Sequence, residues 1–154
     1  MYEDITMVRE ILNGKYDYFD KLIYKYEKIV YIFIYALVGE ESCSKEICKR
    51  VFIKVYNNLY KYNINYKLLN WVLNIAVEEY KLYIRENKNI EVKNNYLNLL
   101  NMEDKCILLL KKLKVQLSFN DIGEILNISE LSARRKYRFI IQNYKKESDM
   151  VRQH

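Results

Sequence analysis

The chain has 154 residues and a formal net charge of +6 at pH 7, with 51% hydrophobic and 30% charged residues. That length holds one domain or two small ones, and the apolar content is ample for a folded core. With no proline and three glycines, at 14, 39 and 123, the chain lacks the residues that strand-and-turn architectures need, so an all-α fold is predicted.

A short first helix is expected to end near Asn13-Gly14. A long second helix follows, with Phe19, Leu22, Ile23, Tyr26, Ile29, Val30, Phe33 and Leu37 at helical spacing, stopping at Gly39. Its apolar run 29–38 is too short to span a bilayer and reads as a buried helix. The third helix is predicted from about Cys43 to Tyr60, capped by Ser42, and the fourth from about Lys67 to Glu86, burying Leu68, Val72, Ile75, Ala76 and Tyr83. Together these form one helical bundle over residues 1–86. The polar stretch 87–95 loses the periodicity and reads as a linker.

A second unit, 96–146, is predicted to hold helices near 96–100, 102–113, 119–126 and 130–146, with a frayed tail over 147–154. Asn101 and Asp104 have the spacing of a capped helix start. Ser118 and Asp121 repeat it, followed by the apolar residues Ile122, Ile125 and Leu126. Gly123 sits inside this short helix, where glycine costs about 1 kcal/mol, so a close backbone approach is expected there. Asn127 suits a left-handed turn residue, Ile128 points to the core, and Ser129 caps the next helix. That helix carries Arg134, Arg135, Lys136 and Arg138 with no acid between them. The whole reads as a helix-turn-helix whose second helix can enter a major groove. Charge distribution agrees: residues 1–96 carry 15 basic and 13 acidic side chains, residues 97–154 carry 11 and 7.

Little supports an enzyme. The lone histidine is His154, and there is no metal-ligand spacing, phosphate loop or activated nucleophile pattern. No cofactor is expected. Cys43, Cys48 and Cys106 read as small buried apolar residues in a reducing compartment. The start MYEDITMVRE has an early acidic pair and no apolar core, unlike a signal peptide, which places the protein in the cytoplasm without membrane insertion.

Val51-Phe52, the aromatic-bounded loop Tyr60 to Tyr66, and then Trp71, Ile75-Ala76 and Arg85 precede Leu-rich helices over 97–113 and the helix-turn-helix. In this order and separation, over residues 15–146, the chain resembles bacterial sigma factors of the sigma-70 family, of the small two-domain extracytoplasmic-function type. The resemblance implies a four-helix region 2-like bundle and a region 4-like helix-turn-helix domain. It also implies core RNA polymerase and promoter DNA as partners; sigma factors of this type are often restrained by an anti-sigma factor, and whether this chain has one is left open by the sequence.

The second domain would read the upstream promoter element. Arg134, Arg135 and Arg138 could reach base edges or phosphates, Lys136 and Ser129 could position phosphates, and Ser132 is small enough to sit against a base. The first domain would melt and capture the downstream element through Lys61, Tyr62, Asn63, Asn65, Tyr66 and Lys67, with Arg85 nearby. Aromatic rings there could stack on separated bases, each stack being worth roughly 1–3 kcal/mol. Trp71 reads as core.

The exposed face of the third helix, Glu46, Lys49, Arg50 and Ile53, would bind the polymerase. Relatives commonly have Asp and Gln where this chain has Glu46 and Lys49, and an acid where it has Arg50. Glu78 replaces a common Asn, Leu82 a common Asp, Asn127 the usual Gly and Gly123 the usual Ala. A free-standing helix-turn-helix regulator that has lost polymerase binding is the alternative.

Overall fold

In a computed structural model, residues 1–87 and 97–152 are described, 146–152 through their backbone alone. The chain divides into two compact units, residues 1–94 and 95–154. Secondary structure among the described residues is helical throughout. The expected linker lies, from residue 88 on, outside the described residues, as does His154.

In the first unit, α1 (Tyr2–Leu12), α2 (Asp17–Val38), α3 (Glu41–Asn58) and α4 (Leu68–Glu86) pack as a bundle. Leu22, Val30, Phe33, Ile34 and Leu37 of α2 are fully buried, with Ile47, Val51 and Val55 of α3 and Val72, Leu73 and Ala76 of α4. Polar ties fix the outer helices on this core. Lys25 of α2 binds Glu3 and Asp4 of α1 at 2.8 and 2.9 Å, and the Tyr26 hydroxyl donates to Asp4 at 2.8 Å. Lys54 of α3 pairs at 2.8 Å with Glu79, which is almost buried on α4.

Gly39 ends α2 in the left-handed conformation, φ 74°. The cap of α3 differs from the expected Ser42. Glu40 takes the position, its carboxylate accepting from the Ser42 and Cys43 amides at 3.0 and 2.7 Å, so α3 begins at Glu41. The Cys43 thiol and these amides hold the Glu40 carboxyl down at about 2. At its far end α3 stops at Asn58, and a 3₁₀ turn over Leu59–Lys61 replaces its expected last turn.

The second unit holds a 3₁₀ turn at Leu97–Leu99, where a longer helix was expected, then α5 (Met102–Lys112), α6 (Phe119–Leu126) and α7 (Glu130–Arg152). The backbone of α7 continues six residues beyond the expected end at 146. Its core gathers Cys106, Ile107 and Leu110 from α5, Ile122 and Ile125 from α6, and Ala133 and Ile140 from α7. Asn101 caps α5, accepting from the Asp104 amide at 2.8 Å. Of the three cysteines only Cys106 is buried. Cys43 and Cys48 are half-exposed, a correction to the sequence reading, because the face of α3 that carries Cys48 is only partly covered by α2.

No helix among the described residues is long and apolar enough to cross a membrane.

Candidate nucleic-acid interface

The α6–α7 corner is built from local contacts. Ser118 and Asp121 form a reciprocal capping box: the Ser118 hydroxyl accepts from the Asp121 amide at 3.0 Å, and the Asp121 carboxylate accepts from the Ser118 amide at 2.9 Å. Asn127 closes α6 in the left-handed conformation, φ 57°. Ile128 then returns its amide to the Gly123 carbonyl at 3.0 Å. A Cβ on Gly123 would meet the Ile128 carbonyl oxygen at 2.7 Å and the Glu130 nitrogen at 3.3 Å, so the close approach comes from the turn and from the first residue of α7. Ser129 accepts from the Ser132 amide at 3.1 Å and starts α7. Ile128, expected inside, is half-buried.

The basic residues of α7 fall into two groups. Arg135 and Arg138 are exposed and share an outward face with Leu131, Phe139 and Gln142, as their three- and four-residue spacings require. Arg134 is turned aside, paired with Glu130 at 2.6 Å and lying over the Phe119 ring at 4.9 Å. Lys111 faces the same ring at 4.6 Å, and Tyr137 packs on it at 5.5 Å. Lys136 points back to α5, binding Glu103 at 2.7 Å. That hydrogen bond raises its pKa and keeps it charged. Ser132 is half-buried and Ser129 is exposed. Of the four cations between Arg134 and Arg138, Arg135 and Arg138 are therefore the two turned outward, while Arg134 and Lys136 are engaged in bracing the unit.

In the first unit, the loop after α3 sorts its aromatics in the same way. Tyr62 is buried, its ring against Trp71 at 5.5 Å and its hydroxyl donating to the Tyr66 carbonyl. Trp71, expected in the core, is half-buried beneath it. The expected Tyr62 platform is thus turned inward, where it shapes the loop. Tyr60 and Tyr66 are exposed instead, at 68% and 50%, with Ile64 between them. Asn63 accepts from the Asn65 amide at 3.0 Å, which folds the tip into a tight turn. Lys61 lies over the Tyr60 ring at 5.4 Å. Lys61, Asn65, Lys67 and Arg85 are exposed.

The four α3 residues grouped in the sequence reading lie on two faces. Glu46 and Arg50 turn to α4. Arg50 binds Glu46 at 2.8 Å and Glu86 at 2.6 Å and stands 5.2 Å over the Tyr83 ring. Lys49 and Ile53 turn to α2, on an open apolar groove of about 1020 Å³ that Phe19, Ile23, Tyr31, Phe52 and Tyr56 also line. Phe19, Ile23 and Tyr56, legible as apolar positions, are the walls of this groove rather than sealed core.

No protein-family model and no curated protein matches the chain. Among solved structures, the chain is similar to CnrH in complex with the cytosolic domain of CnrY, at a TM-score of 0.81 and 12% identity, covering 96% of this chain and 98% of that one. It is also similar to the sigma factor RpoE in complex with the anti-sigma factor NepR from Bartonella quintana, at a TM-score of 0.71 and 10% identity, covering 83% and 94%. The fold is that of extracytoplasmic-function sigma factors. Two features of this fold were not singled out from the sequence: the exposure of Tyr60 and the stacking of Lys111 and Arg134 on the Phe119 ring. Tyr60 was visible as the aromatic boundary of the loop. The two cations on Phe119 left no local signal.

Proposed function

We propose that the protein is a sigma factor. It binds core RNA polymerase and directs promoter-specific initiation, the second unit reading the upstream element and the first melting the downstream one. The observation that carries this reading is the outward face of α7, where Arg135 and Arg138 stand without an acidic neighbour on a capped helix-turn-helix. Arginine suits bidentate contact with guanine in a major groove, and Ser129, at the N-terminus of α7, suits a phosphate. The exposed Tyr60 and Tyr66 rings, with Lys61 and Lys67, suit unpaired bases. The apolar α2–α3 groove with Lys49 and Ile53 suits a helical partner, the polymerase in the active state. An anti-sigma factor competing for the protein fits the same scheme, since RpoE was solved with the anti-sigma factor NepR and CnrH with the cytosolic domain of CnrY.

One observation favours a second reading. Arg50 and Glu46, half of the expected polymerase-binding set, are already engaged, Glu46 by Arg50 and Arg50 also by Glu86 of α4. A free-standing DNA-binding regulator would need no polymerase contact there.

Purified protein mixed with core RNA polymerase and passed over a sizing column separates the two. Co-elution, with new discrete start sites on a pool of genomic fragments, is the expected result. Salt-sensitive duplex binding by the protein alone, with no complex, would establish the regulator instead.

A further inference from the structure

The outward face of α7 is more than a row of cations. Leu131 is 54% exposed and Phe139 is 64% exposed, and they flank Arg135 at four-residue spacing on one ridge. The packed face of the same helix is supplied by Ala133 and Ile140, so neither residue is needed for the core. A single exposed apolar side chain is ordinary. Two large ones on either side of an exposed arginine, on the face turned away from the core, form a pattern that a ligand can read.

We propose that Leu131 and Phe139 are specificity-determining residues that read thymine methyl groups on either side of the base contacted by Arg135. This rests on α7 being the element that enters duplex DNA. The 5-methyl of thymine is the apolar group that the major groove displays, and apolar side chains are its partners. Dimensions agree: the eight-residue step from Leu131 to Phe139 rises about 12 Å, which along the groove spans about three to four base steps of roughly 3.4 Å, enough to bracket the base that Arg135 contacts. Arg135 and Arg138 supply the charge complementarity that draws the ridge to an anionic duplex, and no acid lies on it. The predicted target is a guanine-containing step bounded by thymines, on one strand or the other.

The test uses the full chain, alone and with core RNA polymerase, to enrich duplexes from a random-sequence pool. In an enriched duplex each thymine is then replaced in turn by deoxyuridine, which removes the methyl and keeps the hydrogen-bonding edge. For the wild type, replacement at one or two positions should weaken binding about three- to fivefold, as expected for one unburied methyl. Phe139→Ala or Leu131→Ala should bind weakly and lose the distinction between thymine and deoxyuridine at its own position, whereas Phe139→Leu should keep it. Circular dichroism confirms that these surface variants are folded. If deoxyuridine is tolerated everywhere while Arg135→Ala and Arg138→Ala abolish binding, α7 reads DNA without the methyls and the inference falls alone. Methyl sensitivity that survives both alanine variants overturns it as well. Enrichment of no sequence under either condition overturns the inference together with the reading of α7 beneath it.

Discussion

Lys136 of α7 holds Glu103 of α5 at 2.7 Å, so one of the four cations between Arg134 and Arg138 on the proposed recognition helix faces its own fold rather than solvent. Both side chains are 40% exposed, and a pair so placed contributes less than about 1 kcal/mol. Lys136→Ala should therefore lower the stability of the second unit by less than about 1 kcal/mol and leave the salt dependence of duplex binding unchanged. Arg135→Ala and Arg138→Ala should do the opposite. Each should weaken binding and, where the lost contact is a phosphate, reduce the slope of log K against log salt by about 1. Anisotropy titrations across a salt series, alongside thermal melts, check both.

Gly123 is a residue whose side chain the fold has no room for. An added Cβ lies 2.7 Å from the Ile128 carbonyl oxygen, a backbone atom held by the turn. Alanine gains about 1 kcal/mol of helix propensity, but overpacking costs about 1–3 kcal/mol. Gly123→Ala should be net destabilising by about 1 kcal/mol in a denaturant melt. Ser118→Ala, which removes the hydroxyl half of the capping box, should cost about 0.5–2 kcal/mol by the same measurement.

What the sequence revealed and what it hid follow from the range of the interactions. The Ser118–Asp121 box, the Asn127 turn and the Ser129 cap are set by residues within four positions of one another, and all were legible. Ser42 misled because serine is a strong cap former. With α2 closing at Gly39, the chain has already turned by Glu40, and a carboxylate can cap as well as a hydroxyl. Tyr62 and Tyr66 are alike in sequence. The contact with Trp71, nine residues from Tyr62, sets apart the first, which turns inward and donates its hydroxyl to the Tyr66 carbonyl. The commitments of Lys136 to Glu103 and of Arg50 to Glu86 span more than thirty residues, and no spacing rule reports them.

The Glu40 cap carries a pH signature. Its carboxyl is held at about 2, chiefly by the Cys43 thiol and then by the Cys43 and Ser42 amides, against roughly 4.3 in an unfolded chain. A depressed carboxyl stabilises the fold above its unfolded pKa and loses that contribution as the pH falls through the folded value. The first unit should therefore lose stability progressively between about pH 4.5 and pH 2. Glu40→Gln should flatten that part of the curve. Helicity melts at a series of acid pH values compare the two proteins, and identical acid profiles would remove the cap from the account.

Because α3 presents Lys49 and Ile53 to one side and Glu46 and Arg50 to the other, substitutions on the two faces should separate binding from stability. Arg50 joins α3 to α4 through Glu86 and the Tyr83 ring. Arg50→Ala should lower the melting temperature of the first unit by a few degrees and still co-elute with core RNA polymerase. Ile53 is 51% exposed on the α2–α3 groove and is not among the buried core residues. Ile53→Asp should leave the melt nearly unchanged and reduce co-elution at least tenfold, since a carboxylate in an apolar contact must be desolvated without a partner. Lys49→Glu should act in the same direction. If Arg50→Ala instead loses the polymerase at unchanged stability, the contact surface lies on the α4 side of the helix, and the groove belongs to another partner.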